Sequence, residues 1–266
     1  MSGRGARGAL ALAAATALLT PALVERPAVA RDGGLDLSQG RRVYEANCAI
    51  CHGPDGDGRG HAAHHFQSPP RDLTTGRYKV RSTPSGQVPT DEDLRRSIVT
   101  GLPGTGMVPQ DHLSEAEVTA VLAYVKSLSP RFGGPPPRPL AIPAEPPRPA
   151  DALARGRHAY AKGECAECHG PDGRGDGPSA KDLKVKPADL HRRPFKTGDS
   201  PRDVVRTLLT GMDGTPMPSY HLVIDDDDLW ALAWYLESLA GRPAATPDER
   251  AGWHVVRHHQ RRGGPR

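Results

Sequence analysis

The sequence contains the same ordered set of short motifs twice, with the two copies 110 to 117 residues apart. The repeated stretches are CAICHGPDGDGRG (48–60) with CAECHGPDGRGDG (165–177), and TGLPGTGMVP (100–109) with TGMDGTPMPS (210–219). Because the order is preserved and the period is long enough for a small domain, the chain is predicted to fold as two units of the same kind.

Each copy also shows three helix patterns and no alternating strand pattern, so the fold class is predicted to be all-α. Helix-capping residues precede these patterns: Ser38, Thr90 and Ser114 in the first copy, and Asp151 and Ser200 in the second. Ser114 with Glu117 has the spacing of a capping box. The final helix of each copy carries one apolar face.

Five segments follow from these patterns. We predict a signal peptide (1–30), a first domain (31–131), a Pro-rich linker (132–150), a second domain (151–241) and a basic, disordered tail (242–266). The linker holds eight prolines, which exclude helix and favour an extended, semi-rigid backbone.

The first thirty residues have the three parts of a secretory signal. Arg4 and Arg7 precede an apolar run over 9–19, and Ala28-Val29-Ala30 matches a cleavage site. The run is about half the ~20 residues that a spanning helix needs. We therefore expect an exported, periplasmic protein, soluble or peripherally associated, with no transmembrane segment in the mature chain.

The net charge of +4 is carried by the two ends and the linker. Residues 31–130 are slightly acidic at −1, and residues 151–241 are slightly acidic at −3. A nucleic-acid-binding core would be basic, so nucleic acid is excluded as a partner.

The four cysteines form two C-x-x-C-H motifs, Cys48-x-x-Cys51-His52 and Cys165-x-x-Cys168-His169. Two thiols three residues apart lie on one face of a helical turn, where they can form thioethers to one haem while the following His reaches the iron. The pairs are too far apart for a typical zinc site, and a redox C-x-x-C needs a βαβ context that is absent. The sequence thus predicts two covalently attached haems c.

Two methionines, Met107 and Met217, hold the same place in the repeat after Gly-Thr-x. Both lie in Gly/Pro-rich loops that allow close approach to a porphyrin, so they are the predicted sixth iron ligands. His61, His64 and His65 are an alternative to Met107, although we interpret them as solvated.

The sequence resembles the class I c-type cytochromes, in particular the tandem dihaem type, over most of residues 38–128 and 154–239. The Gly-x-x-x-Tyr pattern at Gly40 and Gly156 matches the first helix of that family. The resemblance implies two consecutive cytochrome c-like domains. It places the family's haem ligands on Cys48, Cys51, His52 and Met107, and on Cys165, Cys168, His169 and Met217.

Three functions from different classes fit these features. The first is a carrier of single electrons between periplasmic or membrane-bound redox partners. The second is an electron-transfer subunit of a larger respiratory or dehydrogenase complex. The third is a dihaem enzyme such as a peroxidase, which needs an open iron position; a Met at the same place in both copies argues against it.

Two further expectations concern the surroundings of the haem motifs. The carbonyls of Pro54 and Pro171 are candidates to accept the ring N–H of the proximal His. The stretch YKVRSTPSG (78–86) has no counterpart in the second copy. We interpret it as a surface loop, with a contact to a haem edge or a partner as the alternative.

Overall fold

The computed structural model describes residues 37–241, and within that range it contains helices, turns and loops but no strand. The α-helices are α1 Leu37–Asn47, α2 Ala49–His52, α3 Asp91–Thr100, α4 Glu115–Ser127, α5 Ala152–Lys162, α6 Ala166–His169, α7 Pro201–Thr210 and α8 Asp226–Ser238. Short 3₁₀ turns cover Ala63–His65, Pro130–Gly133 and Pro178–Asp182. The all-α prediction is confirmed. The predicted signal peptide and basic tail lie outside the described residues.

The two halves repeat one order of helices, α1 to α4 and then α5 to α8. In each half the first helix crosses the last at a glycine. A Cβ on Gly40 would lie 2.1 Å from the carbonyl oxygen of Ala120, and a Cβ on Gly156 would lie 2.1 Å from that of Ala231. Only glycine therefore permits these crossings, which explains the Gly-x-x-x-Tyr pattern.

Local capping starts most of these helices as predicted. Thr90, Ser114 and Ser200 are N-caps, each in a capping box with the acidic residue three positions on. Asp151 occupies the N-cap of α5 but makes no side-chain cap hydrogen bond. Ser38 lies inside α1, which already includes Leu37, so that prediction is wrong by at least two positions.

The stretch 78–86 is not a surface loop, which corrects our interpretation. Tyr78, Val80, Arg81 and Thr83 are all buried. The Arg81 guanidinium donates to the carbonyl of Thr210 at 2.5 Å, in the second half of the chain. Tyr78 packs in the core of the first half, and Arg81 is buried where the segment meets the second half.

The Pro-rich segment runs along α8 instead of standing free. Leu140 and Ile142 pack on the core of the second half, and the indole N–H of Trp234 donates to Glu145 at 3.1 Å. The amide of Leu140 also donates to the carbonyl of Ser82 at 2.8 Å. The segment is thus fixed to both halves. Among residues 37–241, no helix is long and apolar enough to cross a bilayer.

Candidate haem sites

Each C-x-x-C-H motif lies at the end of the first helix of its half and forms a helical turn of its own. Cys48 is the N-cap of α2, and His52 is its last residue; Cys165 and His169 hold the same positions on α6. A buried tyrosine of the preceding helix fixes the end of each turn. The Tyr44 hydroxyl donates to the Gly53 carbonyl at 2.8 Å, and its counterpart in the second half makes the same bond at 2.7 Å.

A backbone carbonyl orients each histidine ring. His52 Nδ1 lies 2.9 Å from the carbonyl oxygen of Arg71, and His169 Nδ1 lies 3.0 Å from that of Ala188. A carbonyl only accepts, so Nδ1 carries the proton and Nε2 of the neutral ring is free to bind a metal. Burial lowers the pKa of both histidines, which favours that neutral form.

These acceptors correct the prediction that the Pro54 and Pro171 carbonyls would take this role. The chain reaches the histidine again 19 residues later, because a Gly-rich loop follows each motif. A Cβ on Gly58 would lie 2.8 Å from the Pro70 carbonyl oxygen, just before Arg71. The signal was present in the sequence as the matching pairs Arg71-Asp72-Leu73 and Ala188-Asp189-Leu190.

The two methionine loops have the same hydrogen bonds. The Met107 amide donates to the Thr105 hydroxyl oxygen at 3.1 Å, and the Met107 carbonyl accepts from the Leu102 amide at 2.9 Å. The Met217 amide donates to the Thr215 hydroxyl oxygen at 3.2 Å, and its carbonyl accepts from the Met212 amide at 3.1 Å. The loops therefore hold both methionines in equivalent positions.

In the first half these residues line one pocket, whose empty volume is about 1280 Å³ including its open mouth. The side chains predicted to hold a haem all line it: Cys48, Cys51, His52 and Met107. Its walls are mainly apolar and include Leu94, Ile98 and Val121. Two thiols, a ring nitrogen and a thioether around an apolar space fit a haem. His61, His64 and His65 are exposed and do not line the pocket.

In the second half, Cys165 and Met217 are half-buried against the core that contains α8. Burial raises the pKa of the Cys165 thiol to about 11, and it does the same for Cys48 in the first half. Each site thus offers one buried, neutral thiol, at Cys48 or Cys165, and a neutral imidazole.

Comparison with known proteins assigns the class. A family model described as "Cytochrome c" matches residues 37–129, and one described as "Cytochrome C oxidase, cbb3-type, subunit III" matches residues 151–236. The chain belongs to the c-type cytochromes and carries two cytochrome c domains in tandem. It is a dihaem cytochrome with two covalent haems c, which confirms the predicted cofactors.

Particular relatives refine this assignment. A chain of the Kuenenia stuttgartiensis reducing HAO-like protein complex Kustc0457/Kustc0458 is 39% identical, with a TM-score of 0.73; the match covers 76% of this chain and 96% of that one. The "Cbb3-type cytochrome c oxidase subunit CcoP" of Azospirillum sp. is 27% identical over 78% of this chain and 64% of its own length. The same subunit of Azospirillum brasilense is 26% identical, with 77% and 62% covered. The match thus spans slightly less than two thirds of these curated relatives.

Proposed function

We propose that the chain relays single electrons and that each domain holds its haem with four side chains. In the first domain, Cys48 and Cys51 would hold the haem as thioethers, and His52 and Met107 would be the ligands of its iron. The matching residues of the second domain are Cys165, Cys168, His169 and Met217. The observation that carries this proposal is the pocket that Cys48, Cys51, His52 and Met107 line together.

The protein positions the side chains that would bind the haem and buries them in apolar surroundings. A haem c with His and Met ligands exchanges one electron at a raised potential. The Arg71 and Ala188 carbonyls hold the two imidazoles in the tautomer that leaves Nε2 for the iron. The threonine-anchored loops would present the methionines to the iron, at the coordination position that a peroxidase needs to keep open for peroxide. This favours electron transfer over the dihaem peroxidase.

We further propose that the chain works as the electron-transfer subunit of a larger redox complex after export to the periplasm. The names of its relatives support this: two are oxidase subunits, and one is part of a protein complex. The Ala28-Val29-Ala30 pattern supports export. The partners are then redox proteins, membrane-bound or periplasmic, with no nucleic acid among them. A free carrier remains the second candidate.

A spectroelectrochemical titration of the purified, exported protein tests the ligand assignment. We expect two low-spin haems c per chain and the weak Met-to-iron charge-transfer band in the oxidised state. The variants Met107→His and Met217→His should each lose the part of this charge-transfer band that comes from the replaced methionine. A high-spin haem in the unaltered protein, or a band that neither substitution changes, would refute the assignment.

Purification of the tagged chain from its native host at low detergent distinguishes the two functional candidates. Stable, stoichiometric recovery of other redox subunits is expected for a complex. Recovery of the chain alone, together with rapid electron exchange with several soluble donors, would favour the free carrier.

A further inference from the structure

The lining of the pocket in the first domain includes a group of three cations, and one of them comes from the second domain. Arg71 and Lys79 belong to the first domain, and Lys196, close enough to Lys79 to repel it, lies between α6 and α7. The rest of the lining is mainly apolar. A pocket with apolar walls and a group of three cations in its lining suits a flat apolar ligand that carries negative charge at one edge.

None of these three cations forms an ion pair with a carboxylate within residues 37–241. Lys79 donates only to the Ser68 hydroxyl oxygen at 3.3 Å. Burial lowers the pKa of all three groups, and Arg71 and Lys196 lower that of Lys79 further by repulsion. Tyr78, Asp213 and Asp72 raise the pKa of Arg71 again, the two carboxylates from beyond ion-pair distance. The three cations thus lie close together with no carboxylate of the described residues at ion-pair distance.

The hydroxyl of Tyr78 gives a second, independent observation. It is buried, it belongs to the same pocket lining, and it has no hydrogen-bond partner among the described residues. An unmade hydrogen bond of a buried group costs about 1–3 kcal/mol. Such groups are rare in native proteins and indicate a missing acceptor.

We propose that Lys196, together with Arg71, Lys79 and the Tyr78 hydroxyl, binds the propionate carboxylates of the first haem. The second domain then contributes directly to the cofactor site of the first. Carboxylates are the acceptors that this donor set lacks, and they are the charged groups at one edge of a haem. This inference rests on the proposed haem-binding function of the first domain.

The contact between the domains holds Lys196 in place. Arg81 has a fully buried side chain and pairs with Asp213 of the second domain at 2.9 Å. Arg71 itself lies against that domain, because a Cβ on Gly214 would be 2.6 Å from its Nη1. Lys196 is followed by Thr197, whose hydroxyl oxygen accepts from Thr207 of α7 at 2.8 Å. The cation is therefore carried on a fixed segment of a fixed domain.

The test replaces Lys196 by Met in the full, haem-loaded chain and measures both reduction potentials. The haems are assigned beforehand from the Met107→His and Met217→His variants, since exchange of Met for His lowers the potential of that haem. Removal of a nearby positive charge favours the oxidised iron. We expect the reduction equilibrium constant of the first haem to fall roughly fivefold, with that of the second unchanged.

Matched variants show whether the positive charge at position 196 causes the shift in the reduction potential of the first haem. Lys184→Met removes an exposed lysine of the same domain and is expected to change the reduction potential of neither haem. Lys196→Arg keeps the charge and should leave the reduction potential of the first haem at its original value. Tyr78→Phe should shift the reduction potential of the first haem alone. If the Lys196→Met chain does not accumulate, the potentials of the Lys196→Gln and Tyr78→Phe variants are measured instead.

Equal shifts in the reduction potentials of both haems, or an unchanged potential of the first haem in the variants measured, would overturn the inference. Failure of the proposed function looks different. A chain that holds fewer than two haems, or lacks the Met band before any substitution, would refute the ligand assignment rather than the role of Lys196.

Discussion

The last helices of the two domains hold equivalent positions but lie in different surroundings. In α4 one face is buried, through Val118, Val121, Tyr124 and Val125. In α8 every residue from Asp228 to Leu236 is buried. The difference arises because the Pro-rich segment covers the outer side of α8, while the outer side of α4 faces solvent.

The domains therefore reach stability by different routes. The second domain has a large core of its own, with Trp230 and Trp234 on α8. The core of the first domain is smaller and surrounds the open pocket. Part of its burial comes from the segment 78–86, which is held against the second domain. The first domain thus depends more on its haem and on its neighbour than the second does.

Removal of the haem attachment sites tests whether the first domain depends more on its haem than the second, and it has the largest expected effect on stability. Cys48→Ala with Cys51→Ala should reduce the haem content from two to one, and so should Cys165→Ala with Cys168→Ala. Because a bound ligand stabilises only the folded state, each loss unfolds its own domain at least in part. Far-ultraviolet circular dichroism should show a greater loss of helix for the first pair. An equal or greater loss for the second pair would contradict the comparison.

Trp230 tests the core of the second domain alone. Its side chain is 1% exposed, whereas Thr119 at the matching place on α4 is exposed. Trp230→Ala should lower the free energy of unfolding by about 3–5 kcal/mol, the usual cost of truncating a buried tryptophan. Thr119→Ala is the matched control and should stay within about 0.5 kcal/mol. Denaturant unfolding measures both, and similar values for the two would show that α8 is not the better buried helix.

Asp213 tests the dependence of the first domain on the second. Its carboxylate accepts from Arg81, from the Ser85 hydroxyl at 2.8 Å and from the Gly86 amide at 2.9 Å. Asp213→Asn should cost about 2–3 kcal/mol, since Arg81 loses its counter-charge but keeps its carbonyl acceptors. It should also separate the unfolding of the two domains into distinct transitions. Asp182→Asn, at an exposed site, is the control; one unchanged transition in both variants would argue against coupling.

Features fixed by local sequence were predictable in both domains. The capping boxes at Thr90, Ser114 and Ser200 involve side chains three residues apart, so the sequence contains all of their information. The same holds for the C-x-x-C-H turns. Comparison of the two copies then placed Met107 and Met217 in equivalent loops without any knowledge of the fold.

Contacts between distant segments were not predictable in this way. The Pro54 carbonyl is a candidate acceptor for His52 from the sequence, yet the chain returns to the ring 19 residues on, at Arg71. The burial of segment 78–86 depends on Asp213, more than 120 residues away. The pattern of one segment does not show which surface of another segment it will contact, so a stretch without a counterpart in the second copy is interpreted as a surface loop.

The contact between the Pro-rich segment and α8 gives the smallest expected effect. Trp234→Phe keeps an aromatic ring beneath the Arg148 guanidinium, now 5.6 Å from the ring centre, but removes the N–H that donates to Glu145. We expect a loss of about 0.5–1.5 kcal/mol, typical of one hydrogen bond. Thermolysin should then cleave near Leu140 and Ile142 faster than in the unaltered chain.

A double-mutant cycle identifies the bond itself as the cause. Glu145→Ala should accelerate cleavage as much as Trp234→Phe, and the double variant should add nothing further, because both remove the same bond. Glu145→Gln keeps an acceptor oxygen and should cleave at nearly the original rate. Additive effects in the double variant would mean that the segment is held on α8 by packing of Leu140 and Ile142 and not by this hydrogen bond.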